Sequence, residues 1–117
     1  MIPILSLENL KKLISARKNY LLIDVRRPDE VSAYGAIPTA INIPIHALDD
    51  ALELDPNTFE NLYGIGMAKH TKIIFYCRTG HRSEKATEIA ISKGFNAYNF
   101  KGSVMEWSKI DRNVRMY

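Results

Sequence analysis

The stretch Lys72-Ile-Ile-Phe-Tyr76 constrains this chain more than any other. Its β-branched and aromatic side chains read as a strand. A short polar loop follows at once, Cys77-Arg78-Thr79-Gly80-His81, and then a helical pattern from about Arg82 to Lys93 that stops at Gly94. Ala86, Ile89, Ala90 and Lys93 line one side of that helix. A strand that feeds directly into a helix is the building unit of an α/β domain, where the helix packs back on the sheet and the next strand runs parallel.

The rest of the chain keeps the same alternation. Ser6 is placed to cap a helix over Leu7 to Ala16, with Leu7, Leu10, Leu13 and Ile14 as its buried stripe. The apolar run Leu21 to Val25 predicts a strand buried on both faces. Pro28-Asp29-Glu30 opens a short helix, because proline suits a first turn and acids suit its positive end, and Gly35 ends it. Ile41-Asn42-Ile43 predicts a second strand closed by Pro44, with helical segments over His46 to Leu52 and Asn57 to Tyr63 before Gly64 and Gly66. Ala97 to Phe100 is a last strand, and Gly102 and Ser103 lead into a helix with Val104, Met105 and Trp107. The expected class is α/β, with a central, mainly parallel sheet flanked by helices.

A chain of 117 residues suits one domain over 1–117 with enough core to stand without disulfides. With one cysteine it has no intramolecular disulfide to form, which points to a reducing compartment and a cytoplasmic address. The start, Met1 to Ser6, has no basic residue ahead of its apolar stretch and is not expected to be a secretory signal. No apolar run approaches the ~18 residues of a membrane span. The formal charge of +3 is too small to argue for nucleic acid, yet it suits a small anion. The expected partners are therefore small molecules, neither nucleic acid nor membrane, and the expected working form is a monomer.

Cys77 carries the candidate chemistry. Ligands of open α/β sheets bind beyond the carboxyl ends of the strands, and Cys77 lies at such an end. The loop after it is short enough that its N–H groups converge as an anion-binding nest, and the next helix adds its positive end. Arg78 and Arg82 flank the point, and Gly80 supplies the backbone freedom of a tight curl. Positive surroundings stabilise the thiolate, the reactive form of cysteine. The alternative is a buried cysteine that only packs; the cationic loop favours the nucleophile. Arg82 either closes the loop and helps hold an anion or is a surface arginine. Its charge opposes the helix dipole, which argues for a specific partner. Arg78 binds the anionic end of a substrate or is simply solvated. His81, at the loop tip, is expected to be exposed.

His46 and His70 have no partners at metal-ligand spacing, so neither a metal nor another cofactor is expected. Asp49, Asp50, Glu53 and Asp55 read as a solvated helix face. Trp107 is expected to pack.

Four segments resemble the rhodanese family, in the family's order. Leu22-Ile-Asp-Val-Arg26 followed by Glu30 resembles its first strand signature. Gly35-Ala-Ile-Pro-Thr-Ala-Ile-Asn-Ile-Pro44 resembles Gly-His-Ile-Pro-Gly-Ala-x-Asn-Ile-Pro. Cys77-Arg-Thr-Gly-His-Arg-Ser83 resembles the active-site loop Cys-Arg-x-Gly-x-Arg-Ser. Lys101-Gly102 with Trp107 resembles a terminal Gly-Gly…Trp element. A narrower likeness, over 42–64, is to the short single-domain thiosulfate sulfurtransferases of animals, including the thiosulfate:glutathione type. Ala36, Thr39 and Lys101 depart from the family's His, Gly and Gly.

The resemblance implies a rhodanese-like three-layer domain. It implies that Cys77 carries sulfur as a persulfide between a small anionic donor, thiosulfate, and a thiol acceptor such as glutathione. Residues Arg78, Thr79, Gly80, His81 and Arg82 then form the substrate cradle. Asp24 and Arg26 lie near the active-site mouth in structural roles, with Arg26 expected to pair with Glu30. Related phosphatases have one more residue between cysteine and arginine; here four separate Cys77 from Arg82, the sulfurtransferase length. A phosphatase or arsenate reductase is thereby disfavoured. A regulatory module of the same fold is disfavoured by the retained cysteine.

Overall fold

The computed structural model describes residues 1–67 and 71–117. His70 lies outside the described residues. Four strands, β1 (Tyr20–Asp24), β2 (Ile41–Asn42), β3 (Lys72–Tyr76) and β4 (Asn96–Asn99), form one sheet in the order β2-β1-β3-β4 with every pair parallel. Around it lie α1 (Leu7–Ala16), α2 (Pro28–Tyr34), α3 (Ile45–Leu52), α4 (Pro56–Tyr63), α5 (His81–Ser92) and α6 (Ser103–Trp107).

Strand geometry sends successive side chains to opposite faces, and the two central strands show it. Leu21, Ile23, Ile73 and Phe75 join Leu48, Ala51 and Leu52 of α3, Phe59 of α4 and Ala86 and Ala90 of α5 in one cluster. Leu22, Ile74 and Tyr76 join Leu10 of α1 and Val104 and Trp107 of α6 in the other. This is the three-layer α/β arrangement that the resemblance implies. The continuous apolar run at 21–25 is explained by the double burial.

Local chemistry fixes the boundaries. The Ser6 hydroxyl accepts from the Asn9 N–H at 3.2 Å and starts α1. Only Leu10 of the expected stripe is fully buried; Leu7, Leu13 and Ile14 are half-covered at the edge of their cluster. Asp55 is not part of a helix face: its carboxylate accepts from the Thr58 N–H at 3.0 Å and caps α4. Asp49 and Glu53 are solvated as expected, and both also hold Lys93 at the end of α5. Residues before α1 add one parallel bridge at the free edge of β4, with Leu5 N–H donating to Asn99 O at 2.9 Å and Asn99 N–H to Pro3 O at 2.8 Å. Thr39 holds φ = 74° in the turn before β2, the left-handed conformation for which glycine is the easier residue.

The strand order positions the site. From β1 the chain goes first to β2 on one side and then, through α3 and α4, to β3 on the other. The switch point, where open α/β sheets bind their ligands, is therefore between β1 and β3. Asp24 and Tyr76, the last residues of those strands, are direct partners, and Cys77 follows.

Candidate active site

Cys77 leaves β3 at this switch point and is buried, with 1% of its surface exposed. Its peptide is clamped from behind. The Cys77 N–H donates to the Ser103 hydroxyl at 3.1 Å, that hydroxyl donates to Phe100 O at 2.9 Å, and Cys77 O accepts from the Val104 N–H at 3.1 Å. The thiol is thus presented from a backbone that α6 holds in place.

The loop curls over the sulfur as expected. Gly80 N–H donates to Sγ at 3.1 Å and Ser83 N–H at 3.4 Å, and the Ser83 hydroxyl lies 3.4 Å away. The curl depends on glycine twice over. Gly80 has φ = 96°, and a Cβ there would come 2.5 Å from Lys101 O. Behind it, the buried Asn99 amide donates to Gly80 O at 3.3 Å. Burial pushes the Cys77 thiol up, but the Ser83 hydroxyl and the N–H groups of Ser83, Gly80 and Thr79 outweigh burial, and its pKa falls below the ordinary thiol value. Hydrogen bonds of this kind favour the anionic form of a thiol.

The flanking arginines take different positions. Arg82 is not free: it grips Glu30 at 2.6 and 3.1 Å through both terminal nitrogens, tying the start of α5 to the first turn of α2. This is the partner that its placement against the helix dipole called for. The expected Arg26–Glu30 pair does not form. Arg26 instead forks onto Asp24, with Nε to Oδ1 at 3.0 Å and Nη2 to Oδ2 at 2.7 Å, and both side chains are fully buried. The reason is position: Arg26 continues the line of β1 into the interior, whereas Glu30 sits one helical turn on, facing the loop. Arg82 and the Tyr117 hydroxyl, which donates to Oε2 at 2.6 Å, bring the Glu30 carboxyl down to a pKa of about 2 against the opposing effect of burial.

Arg78 is exposed and lies over the Tyr117 ring, 4.9 Å from its centroid. His81 is exposed as expected, its ring nitrogen 3.3 Å from the Thr79 hydroxyl. A separate cavity of about 430 Å³, lined among the described residues by Arg17, Tyr20, Leu22, Thr39 and Ile65, opens toward the other end of the sheet.

Sequence reasoning missed three contributors to this corner. Ser103 and Tyr117 come from distant segments and carry no local pattern. Ser83 stands in the loop motif itself, where the helical spacing hid its turn toward the sulfur.

Comparison with known proteins finds this fold and sequence in one family. The rhodanese-like domain model matches residues 6–110. The chain belongs to the rhodanese family. It is 48% identical over 90 residues to a rhodanese domain-containing protein of Drosophila melanogaster, covering 75% of this chain and 81% of the relative. It is 37% identical over 108 residues to the human thiosulfate:glutathione sulfurtransferase, covering 90% and 92%. The solved structure of a human single-domain sulfurtransferase superposes with a TM-score of 0.85 at 34% identity, covering 95% of this chain and 99% of the other. These relatives support a sulfurtransferase of the rhodanese fold.

Proposed function

We propose that the protein moves sulfane sulfur from thiosulfate to a thiol acceptor such as glutathione, through a persulfide on Cys77. The single observation that carries the reading is the set of Ser83 and Gly80 donors on Sγ, which favours an anion at the end of the side chain. The Cys77 thiolate attacks the outer sulfur of thiosulfate. The sulfur–sulfur bond of the donor breaks, and sulfite leaves with the electron pair. The new terminal sulfur carries the negative charge, and the loop N–H groups, with Thr79 and Gly80 at the curl, hold it. An acceptor thiolate then attacks that outer sulfur, the Cys77 thiolate leaves, and the acceptor departs as a persulfide. Cyanide in place of the thiol yields thiocyanate.

In this reading Arg78 and His81 meet the anionic ends of donor and acceptor at the mouth, and Arg82 braces the loop through Glu30. Splitting the transfer into two covalent halves predicts ping-pong kinetics. The exchange suits the cytoplasm, where a lone thiol stays reduced.

Intact-mass measurement after thiosulfate treatment is the direct test. The wild type gains one sulfur atom, Cys77→Ser gains none, and thiocyanate production disappears with it. A folded Cys77→Ser protein that still turns over thiosulfate at the wild-type rate would remove the reading.

A further inference from the structure

Both arginines of the loop are linked to the same phenol, Arg78 directly and Arg82 through Glu30. The Tyr117 ring lies beneath the Arg78 guanidinium at 4.9 Å. Its hydroxyl donates to Glu30 Oε2 at 2.6 Å, and Glu30 in turn holds both terminal nitrogens of Arg82. The same hydroxyl accepts from Arg26 Nη1 at 3.3 Å, so it is fixed from the buried side as well.

The ring itself is held firmly. It stacks on Tyr34 with centroids 3.9 Å apart and planes 5° from parallel. The segment that carries it lies along the end of α2. Arg115 N–H donates to Tyr34 O at 2.8 Å, and the Arg115 guanidinium reaches Ala33 O. Gly35 makes this approach possible, since a Cβ there would fall 2.1 Å from Asn113 O. An exposed arginine ordinarily samples many rotamers, and a cation seated on an aromatic face loses that freedom before the substrate arrives.

We infer that Tyr117 is a positioning residue for anion binding at Cys77: its ring orients Arg78, and its hydroxyl fixes Glu30 and through it Arg82. The inference rests on the proposed sulfur transfer for its kinetic form, but it concerns binding of the anion and can be read without turnover.

Two measurements on Tyr117→Ala and Tyr117→Phe test it. The first is the thiosulfate dependence of thiocyanate formation at saturating cyanide. The second is protection of Cys77 from iodoacetamide by inorganic sulfate, an unreactive anion. Tyr117→Ala should raise KM for thiosulfate roughly five- to tenfold, with the half-protecting sulfate concentration rising in parallel, as loss of a cation–π seat implies. Its kcat should stay within about twofold, because the sulfur and its donors are untouched. Tyr117→Phe keeps the ring and loses only the hydroxyl, so it should fall between the two, near a two- to threefold rise.

Unchanged KM and unchanged sulfate protection in folded Tyr117→Ala overturn the inference, as does a fall in kcat alone. Equal effects of Phe and Ala overturn the assignment of the ring to Arg78. If Tyr117→Ala does not fold, Tyr117→Phe decides by itself: a rise in both quantities supports the role, and wild-type values refute it. If the wild type forms no persulfide, the transfer reading fails instead, and sulfate protection still judges Tyr117.

Discussion

Two carboxylate–guanidinium pairs sit at the carboxyl end of the sheet, one turn of chain apart, and they differ in what surrounds them. Asp24–Arg26 is sealed, with both side chains at 0% exposure. Glu30–Arg82 lies at the rim, with Glu30 at 6% and Arg82 at 32%. The sealed pair has Gly35 O as a further acceptor at 2.7 Å and the Tyr76 ring beside it, so nothing about it faces a substrate. Burial opposes the Arg26 charge, but Asp24 outweighs it and raises the guanidinium pKa above its ordinary value. The rim pair instead joins two helices across the loop that holds the sulfur. The same chemical pair therefore supports the fold in one place and the Cys77 loop in the other, and solvent access divides the two roles.

The largest expected effect breaks the sealed pair. Asp24→Ala leaves Arg26 buried without its carboxylate and should lower unfolding free energy by about 3–5 kcal/mol in urea titrations. The folded fraction should keep its thiosulfate KM. A loss below about 1 kcal/mol would show that water reaches Arg26 and that the contrast between the pairs is not real.

Glu30→Gln should act in the opposite proportion. Its stability loss should be near 1 kcal/mol, while persulfide formation from thiosulfate slows about tenfold as the loop loses its brace. Equal stability losses in the two variants, with transfer intact, would erase the division of roles. The same carboxylate gives a pH signature. Its folded pKa is depressed to about 2, so its contribution is full above the ordinary carboxylate range and is lost as pH falls toward 2. The slope of wild-type stability over that acid window should shrink in Glu30→Gln. The smallest effect comes from Asp55→Ala, remote from both pairs, which should remove a helix cap worth about 1 kcal/mol and leave transfer unchanged.

How much of this was legible in the sequence follows from the range of each signal. The expected strand at Lys72–Tyr76 and the helix at Leu7–Ala16 match in both bounds, because propensity, capping and periodicity are local. The curl of residues 77–82 was legible too, since a glycine between a strand and a helix leaves the chain few routes. Partner choice was not. Arg26 lies four residues before Glu30, a spacing that suggests a pair, yet the chain turns between them and each finds a different partner. Asp55 read as a helix face because composition does not distinguish a cap from a turn just beyond it. Lys93 read as part of a packing stripe, and its charge is answered by two acids of α3 and its cap that only the fold brings near.

Short-range signals along the chain set the α/β class, the strand end that bears Cys77, and the length of the loop that follows it. Each of these depends on neighbours a few residues apart. Packing of distant segments chose which carboxylate answers which arginine, set Ser103 to clamp the Cys77 peptide from 26 residues away, and laid Tyr117 under Arg78. Those contacts depend on where separate segments meet after the core has packed, and no pattern along the chain encodes a meeting between residues that far apart.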